Sequence, residues 1–101
     1  MELLERHLEE VRQLCERFEV RRLELFGSAA RGEFDPTRSD LDFLVVFRAP
    51  GLVSPADRYF GLLIALEDLF ARKVDLVDVT VARNPFFMAE SLKHRKMLYA
   101  A

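Results

Sequence analysis

Residues 27–42 decide how the chain is organised. They read GSAARGEFDPTRSDLD, which is a Gly-Ser turn, a polar loop and a D-x-D pair in succession. Apolar, β-rich stretches lie on both sides, at 23–26 (LELF) and 43–47 (FLVVF). The first stretch ends at Gly27 and the second begins beside Asp42, so both meet the polar segment at the same end. The first strand must therefore run toward this segment and the second away from it, which predicts antiparallel neighbours.

The rest of the chain alternates between helix and strand patterns. Apolar residues spaced three and four apart predict helices at 3–18, at about 55–71 and at about 84–98, the last two opened by Ser-Pro and Asn-Pro capping signals. Strands are predicted at 20–26, 41–48 and 73–79, with a short helical turn at 28–31. This order predicts the α/β (α+β) class, with a small mixed sheet packed against helices in a single domain, 1–101. The nearly continuous apolar run of the second strand predicts cover on both of its faces.

The composition and net charge of the chain disfavour several classes of function. The chain has 101 residues, with 15 Lys plus Arg against 17 Asp plus Glu and a net charge of −2. This balance disfavours a nucleic-acid binder, whose domain is usually basic. Its apolar runs are shorter than a membrane span, and a single cysteine excludes an internal disulfide. We therefore expect a cytoplasmic protein, with Cys15 as a small core residue.

The D-x-D pair carries the first chemical signal. Asp40 and Asp42 are two residues apart at a strand start, so both carboxylates project from the same face. At roughly 7 Å apart they repel each other unless a cation lies between them. Hard divalent ions accept oxygen ligands, and Mg²⁺ is the usual one where phosphates share the coordination. The alternative interpretation is two solvated acids at the start of a strand.

The Gly-Ser turn carries the second signal. Gly27 ends a strand without a Cβ, which lets a phosphate approach the backbone. The amides after it and the Ser28 hydroxyl can donate to phosphate oxygens, and Arg31 can reach the same anion. The alternative is a tight turn capped by serine. Phosphate binding beside a cation site favours metal-assisted transfer of a nucleotide.

Such a site needs a third carboxylate, and the predicted third strand offers two. Asp75 and Asp78 have an odd spacing, which puts them on opposite faces. Asp75 lies among apolar strand residues, so we expect it to be half-buried, a costly position without a metal or cation partner. Asp78 is nearer the strand end, where we expect it to be solvated. We therefore assign Asp75 to the site.

Together these motifs resemble the minimal nucleotidyltransferases of the DNA polymerase β-like superfamily. The resemblance implies a nucleotidyltransferase fold that binds a nucleoside triphosphate, ATP in our interpretation, and two Mg²⁺ ions. Gly27, Ser28 and Arg31 would hold the triphosphate. Asp40 and Asp42 would bind both metal ions, and Asp75 would bind one of them and help to deprotonate the acceptor hydroxyl.

The resemblance also implies a partner. Members of this family are often encoded beside a helical HEPN protein, as antitoxin and toxin, and some adenylylate a tyrosine of that partner. The main hypothesis is transfer of AMP to such a HEPN-type toxin. One alternative is a non-catalytic, nucleotide-binding antitoxin that occludes its partner, and a weaker one is transfer to a small molecule such as an aminoglycoside. The basic run at 93–96 is interpreted as a solvated face first and as a contact for an acidic partner surface or a phosphate second. The aromatic residues of the last predicted helix are interpreted as core first and as a partner or dimer interface second.

Overall fold

The structure, a computed structural model, describes residues 2–30, 32, 40–80 and 95–101, with only the backbone described for Ser28 and Ala29. The elements in chain order are α1 (Glu2–Glu5), α2 (Leu8–Arg17), β1 (Val20–Phe26), α3 (Gly27–Ala30), β2 (Leu41–Phe47), α4 (Pro55–Phe70), β3 (Val74–Asp78) and β4 (Lys96–Ala100). The predicted combination of helices with a small sheet is confirmed. The described helices include none that is long and apolar enough to span a membrane.

The sheet has four strands in the order β3-β2-β1-β4. Strand β1 is antiparallel to both β2 and β4, whereas β2 and β3 are parallel. The prediction of a mixed sheet whose first two strands are antiparallel is therefore confirmed. Because β1 runs toward Gly27 and β2 away from Asp40, the polar segment lies at one end of the two central strands.

Strand β4 corrects the prediction for the C-terminal residues. The last predicted helix was expected to continue to about Leu98, but Lys96–Ala100 is a strand that pairs with β1. Without β4, the outer edge of β1 would lack hydrogen-bond partners, and this long-range pairing outweighs a local pattern that also suits a helix. Residues 84–94 of the predicted helix lie outside the described part of the chain.

One face of the sheet packs against α2 and α4 and forms the core. The fully buried side chains of this layer come from both central strands and both helices: Val11, Cys15, Leu23, Leu25, Leu41, Phe43, Val45, Leu62 and Leu66. Phe43 stacks on Phe70 of α4 with ring centroids 6.1 Å apart. The prediction of Cys15 as a core residue is confirmed, and burial raises the pKa of its thiol to about 12.

The first predicted helix is interrupted. The chain forms two helices that are separated at 6–7, where the backbone amide of His7 bonds to the carbonyl of Leu4 in a tighter turn. At this turn, Leu8 is 43% exposed. The His7 ring packs edge-on against Phe70 instead, with centroids 5.6 Å apart. The expected single helix over 3–18 is therefore wrong at this turn.

The other face of the sheet carries three acids of the central strands and β3. Asp42 and Asp75 lie on it, as does Glu24 of β1, and we call it the acid face. Leu44, which points to the acid face between core-facing neighbours, is only 2% exposed. The prediction that β2 is covered on both faces is therefore confirmed.

Candidate active site

The geometry of the candidate site begins with Asp42. It pairs with Phe26 of β1 in the antiparallel ladder and with Asp75 of β3 in the parallel ladder. Residues in register on adjacent strands point to the same face of a sheet. The two aspartates are therefore direct neighbours on the acid face, although 32 residues that include α4 separate them in the chain.

The pairing of Asp42 with Asp75 places two acidic side chains in register. Adjacent strands lie about 4.8 Å apart, and like charges directly opposite each other destabilise a sheet. A cation between the carboxylates removes the repulsion, and paired carboxylates are ligands that hard divalent ions accept. The donor chemistry of this pair therefore fits Mg²⁺.

Gly27 adjoins the Asp42 side chain. Its φ of +72° is in the left-handed region, which favours glycine. A Cβ built on Gly27 would overlap a carboxylate oxygen of Asp42, and it would lie 3.1 Å from the Asp42 Cγ. Residue 27 must therefore be glycine for β1 to end in this conformation against Asp42. Because Gly27 has no side chain, no atom beyond its own backbone lies between that backbone and the Asp42 carboxylate on the Gly27 side.

Asp40 directly precedes β2 and is exposed, at the same end of the sheet as Gly27. The amide of Leu41 donates to the carbonyl of Lys73 at 3.3 Å, which extends the pairing of β2 and β3 up to the D-x-D segment. Ser28 belongs to α3, and only its backbone is described. Arg31, the remaining predicted phosphate ligand, lies outside the described residues.

The structure corrects the predicted burial of the two acids of β3. Asp75 is exposed, not half-buried, whereas Asp78 is the more buried of the two. The reason is that the acid face is open at Asp75, while Asp78 is in register with core-facing Val45 on the side of α4. Asp78 ends the strand by accepting hydrogen bonds from the Thr80 amide at 3.0 Å and the Thr80 hydroxyl at 2.7 Å. The predicted placement of Asp75 and Asp78 on opposite faces is confirmed.

Tyr59 of α4 has a pKa that is raised by burial and by the acids of β3. Its hydroxyl donates to the carbonyl of Leu76 and ties α4 to β3. Burial raises the pKa of Tyr59, and the charges of Asp75 and Asp78 raise it further. The carboxylates of β3 therefore favour the neutral form of a nearby phenol.

A complete metal cage is not present among the described residues. Within 2–30, 32, 40–80 and 95–101, no three His, Cys, Asp or Glu side chains are grouped so that they could hold a metal ion. The structure brings Asp42 and Asp75 together as strand neighbours and leaves Asp40 beside them at the start of β2. The donor set fits a divalent cation in its chemistry, and additional ligands would come from the phosphates.

Sequence reasoning missed a charged cluster on the same face. Glu24 of β1 is the buried charged residue of the described core, with 3% exposure. Its two carboxylate oxygens lie 3.0 Å from the Nε of Arg22 and 3.2 Å from the Nε of Arg95. A lone acid between Leu23 and Leu25 was the available signal, since an acid among buried strand residues needs a cationic partner.

Comparisons with known proteins identify the family of the chain. The profile of the nucleotidyltransferase domain family matches residues 4–98. Two candidate protein adenylyltransferases of Methanocaldococcus jannaschii are similar in sequence. MJ1379 is 36% identical over 73 residues, which is 72% of this chain and 71% of the relative. MJ0128 is 38% identical over 74 residues, which is 72% of this chain and 70% of the relative.

Solved structures show the same fold. A structure described as a candidate minimal nucleotidyltransferase has a TM-score of 0.76 and 34% identity, over 93% of this chain and 91% of the other. A toxin–antitoxin complex with AMP-PNP has a TM-score of 0.71 at 22% identity, over 93% and 73% of the two chains. A tri-AMPylated HEPN toxin with its MNT antitoxin from Shewanella oneidensis has a TM-score of 0.67 at 18% identity, over 96% and 72%.

The last two similarities show the fold alone, whereas the family profile and the closer relatives go further. The structure places Gly27 beside Asp42, with Asp75 in register with Asp42, and the assignment of these residues to nucleotidyl transfer stays a prediction. The chain belongs to the nucleotidyltransferase domain family, and the prediction that it is a nucleotidyltransferase is confirmed.

Proposed function

We propose that this protein is a Mg²⁺-dependent protein adenylyltransferase that acts as an antitoxin, transferring AMP from ATP to a tyrosine hydroxyl of a HEPN-type partner. The observation that carries the proposal is the in-register pair of Asp42 and Asp75 beside Gly27. The names of the two archaeal relatives support a protein as acceptor. A fold neighbour that is an antitoxin in complex with an AMPylated HEPN toxin supports the class of partner.

Different residues of the chain would bind the phosphates and the metal ions. Gly27 leaves room for phosphate oxygens next to Asp42, and Ser28 and Arg31 would hold the triphosphate. Asp40, Asp42 and Asp75 would hold the Mg²⁺ ions. When bound, the metal supplies positive charge that stabilises the phosphates and favours loss of the acceptor proton.

Asp75 would act on the acceptor. The tyrosine Oη attacks the α-phosphorus of ATP, the bond to the β-phosphate oxygen breaks, and pyrophosphate leaves. Tyrosine has a pKa near 10, so it must lose its proton as it attacks. Asp75 is exposed on an edge strand, where the side chain of a folded partner can reach it. Its carboxylate is therefore the group that we assign to accept the Oη proton.

Two further features of the chain support the proposal, namely the extent of the family profile and the net charge. The family profile spans nearly all of 1–101, which supports our proposal that these residues form one domain. The net charge of −2 supports a protein acceptor over a nucleic acid, whose phosphates need several Lys or Arg contacts.

The deciding experiment combines the protein with ATP, Mg²⁺ and the protein encoded by the neighbouring gene. Intact mass spectrometry of the neighbour should show a gain of one or more AMP units. Asp40→Ala should remove this gain, whereas Asp78→Ala, which removes an acid from the opposite face, should retain it.

Two other outcomes would contradict the proposal. A tight complex without added mass would favour an antitoxin that occludes its partner without transfer. A mass gain that survives both Asp40→Ala and chelation of Mg²⁺ would show that the assigned acids do not act in the reaction.

A further inference from the structure

The cluster around Glu24 lies on the acid face but plays no part in the site described above. Its carboxylate is buried and holds two guanidinium groups, each through the Nε atom. The side chains of Arg22 and Arg95 remain 44% and 41% exposed. One buried negative charge therefore fixes two positive charges at the surface, and the cluster carries a net positive charge.

The two arginines differ in their position relative to the site. Lys96 pairs with Leu25 in the antiparallel register. Continuing that register by one residue places Arg95 beside Phe26, the residue immediately before Gly27. Phe26 is paired with Asp42 on its other side. Arg95 therefore lies in the same row across the sheet as Asp42, about 10 Å away across two strand spacings.

Arg22 lies farther along the sheet. It pairs with Val46 of β2 and Ala100 of β4, four residues before Phe26 on β1. At about 3.3 Å per residue, this is more than 10 Å from the end of the strand where Gly27 lies. The two arginines thus share an anchor and a similar exposure, and they differ in that the backbone of Arg95, not that of Arg22, lies at the end of the sheet where Gly27 lies.

We propose that Arg95, held in place by Glu24, is a further binding residue for the triphosphate of the nucleotide. This inference rests on the proposed function. A guanidinium has five N–H donors in a fixed plane, and the bond through Nε leaves the two terminal nitrogens to face an anion. Phosphate oxygens are the anionic groups that the Gly27 turn brings to this end of the sheet. Glu24 orients the guanidinium before the nucleotide arrives, which reduces the entropy lost on binding.

The test compares matched arginine variants in calorimetric titrations with ATP and Mg²⁺. Arg95→Ala should weaken ATP binding by about tenfold, the value of one charge-assisted contact. Arg22→Ala removes the other ion pair of Glu24, so it controls for the structural consequence, and Lys96→Ala controls for the loss of a positive charge. Both should stay within about twofold of the wild type, which corresponds to about 0.4 kcal/mol. AMP should bind equally to the wild type and Arg95→Ala, because it lacks the β- and γ-phosphates.

Each outcome separates the inference from the proposed function. Unchanged ATP affinity in Arg95→Ala, or an equal loss in Arg22→Ala, overturns the role of Arg95 while wild-type binding still stands. A wild type that binds no ATP overturns the proposed function and the inference together. An ATP-binding wild type that loses affinity with Arg95→Ala but never modifies its partner supports the inference and contradicts only the transfer activity. Arg95→Gln, which keeps most of the side-chain stem, repeats the test if Arg95→Ala unfolds.

Discussion

Two acidic positions on the same face of the sheet have opposite surroundings. Glu24 is buried, and both of its carboxylate oxygens are within ion-pair distance of arginines. Asp42, on the neighbouring strand, has another carboxylate, Asp75, as its in-register neighbour on β3. Glu24 sits in an arrangement that compensates its charge within the fold, whereas Asp42 and Asp75 are two acids in register on adjacent strands.

This difference separates structural acids from functional ones. A buried acid whose charge is matched can remain in a stable sheet without any ligand. Paired acids in register lower stability unless something else supplies the positive charge. We propose that the aspartate pair binds a cation together with the nucleotide, as the function proposed above requires. If Glu24 and the aspartate pair differ in this way, substitutions at Glu24 and at Asp75 change the free energy of unfolding in opposite directions.

The largest effect is expected at Gly27, which fixes the position of Asp42. Gly27→Ala introduces a Cβ at positive φ and against the Asp42 carboxylate. We expect a loss of about 3 kcal/mol in the free energy of unfolding, from backbone strain and overpacking together. Urea denaturation measures it, and ATP binding should weaken in parallel.

A matched control is available at Gly32. Its φ of +77° is similar, but a Cβ there would meet no atom of the described residues within 4 Å. Gly32→Ala should therefore cost only the strain of positive φ, about 1 kcal/mol. Equal losses at the two glycines would show that contact with Asp42 contributes nothing to the requirement for glycine at 27.

The second-largest effect on stability is expected at Glu24, whose charge two arginines compensate. Glu24→Gln keeps the shape of the side chain but removes the charge that Arg22 and Arg95 share. We expect a loss of about 2 kcal/mol in the free energy of unfolding, because hydrogen bonds to charged groups are worth more than neutral ones. Thermal and urea denaturation should agree on the sign, and a gain in stability would contradict the compensated arrangement.

The sequence predicted the central strands and the faces of the β3 acids correctly, but it missed an edge strand and the burial of those acids. The two strands around 27–42 and the placement of Asp75 and Asp78 on opposite faces followed from apolar runs and strand alternation, which are local signals. Strand β4 was missed because its residues also suit a helix, and only pairing with distant β1 selects the strand. The ion pair of Glu24 and Arg95 was missed for the same reason, because no local pattern connects residues so far apart.

The smallest effect has the opposite sign and gives the sharpest test of the comparison. Asp75→Asn preserves the shape of the side chain while removing one of two neighbouring charges. We expect the free energy of unfolding to rise by about 0.5 kcal/mol without Mg²⁺, since like charges directly opposite each other destabilise a sheet. Transfer activity should be lost.

Asp78→Asn is the control: it weakens the hydrogen bonds that Asp78 accepts from Thr80, so it should lower stability slightly and retain activity. Added Mg²⁺ should stabilise the wild type more than Asp75→Asn. If Asp75→Asn instead lowers stability as Glu24→Gln does, the two acids serve the fold alike, and the distinction between a compensated and a cation-binding position is wrong.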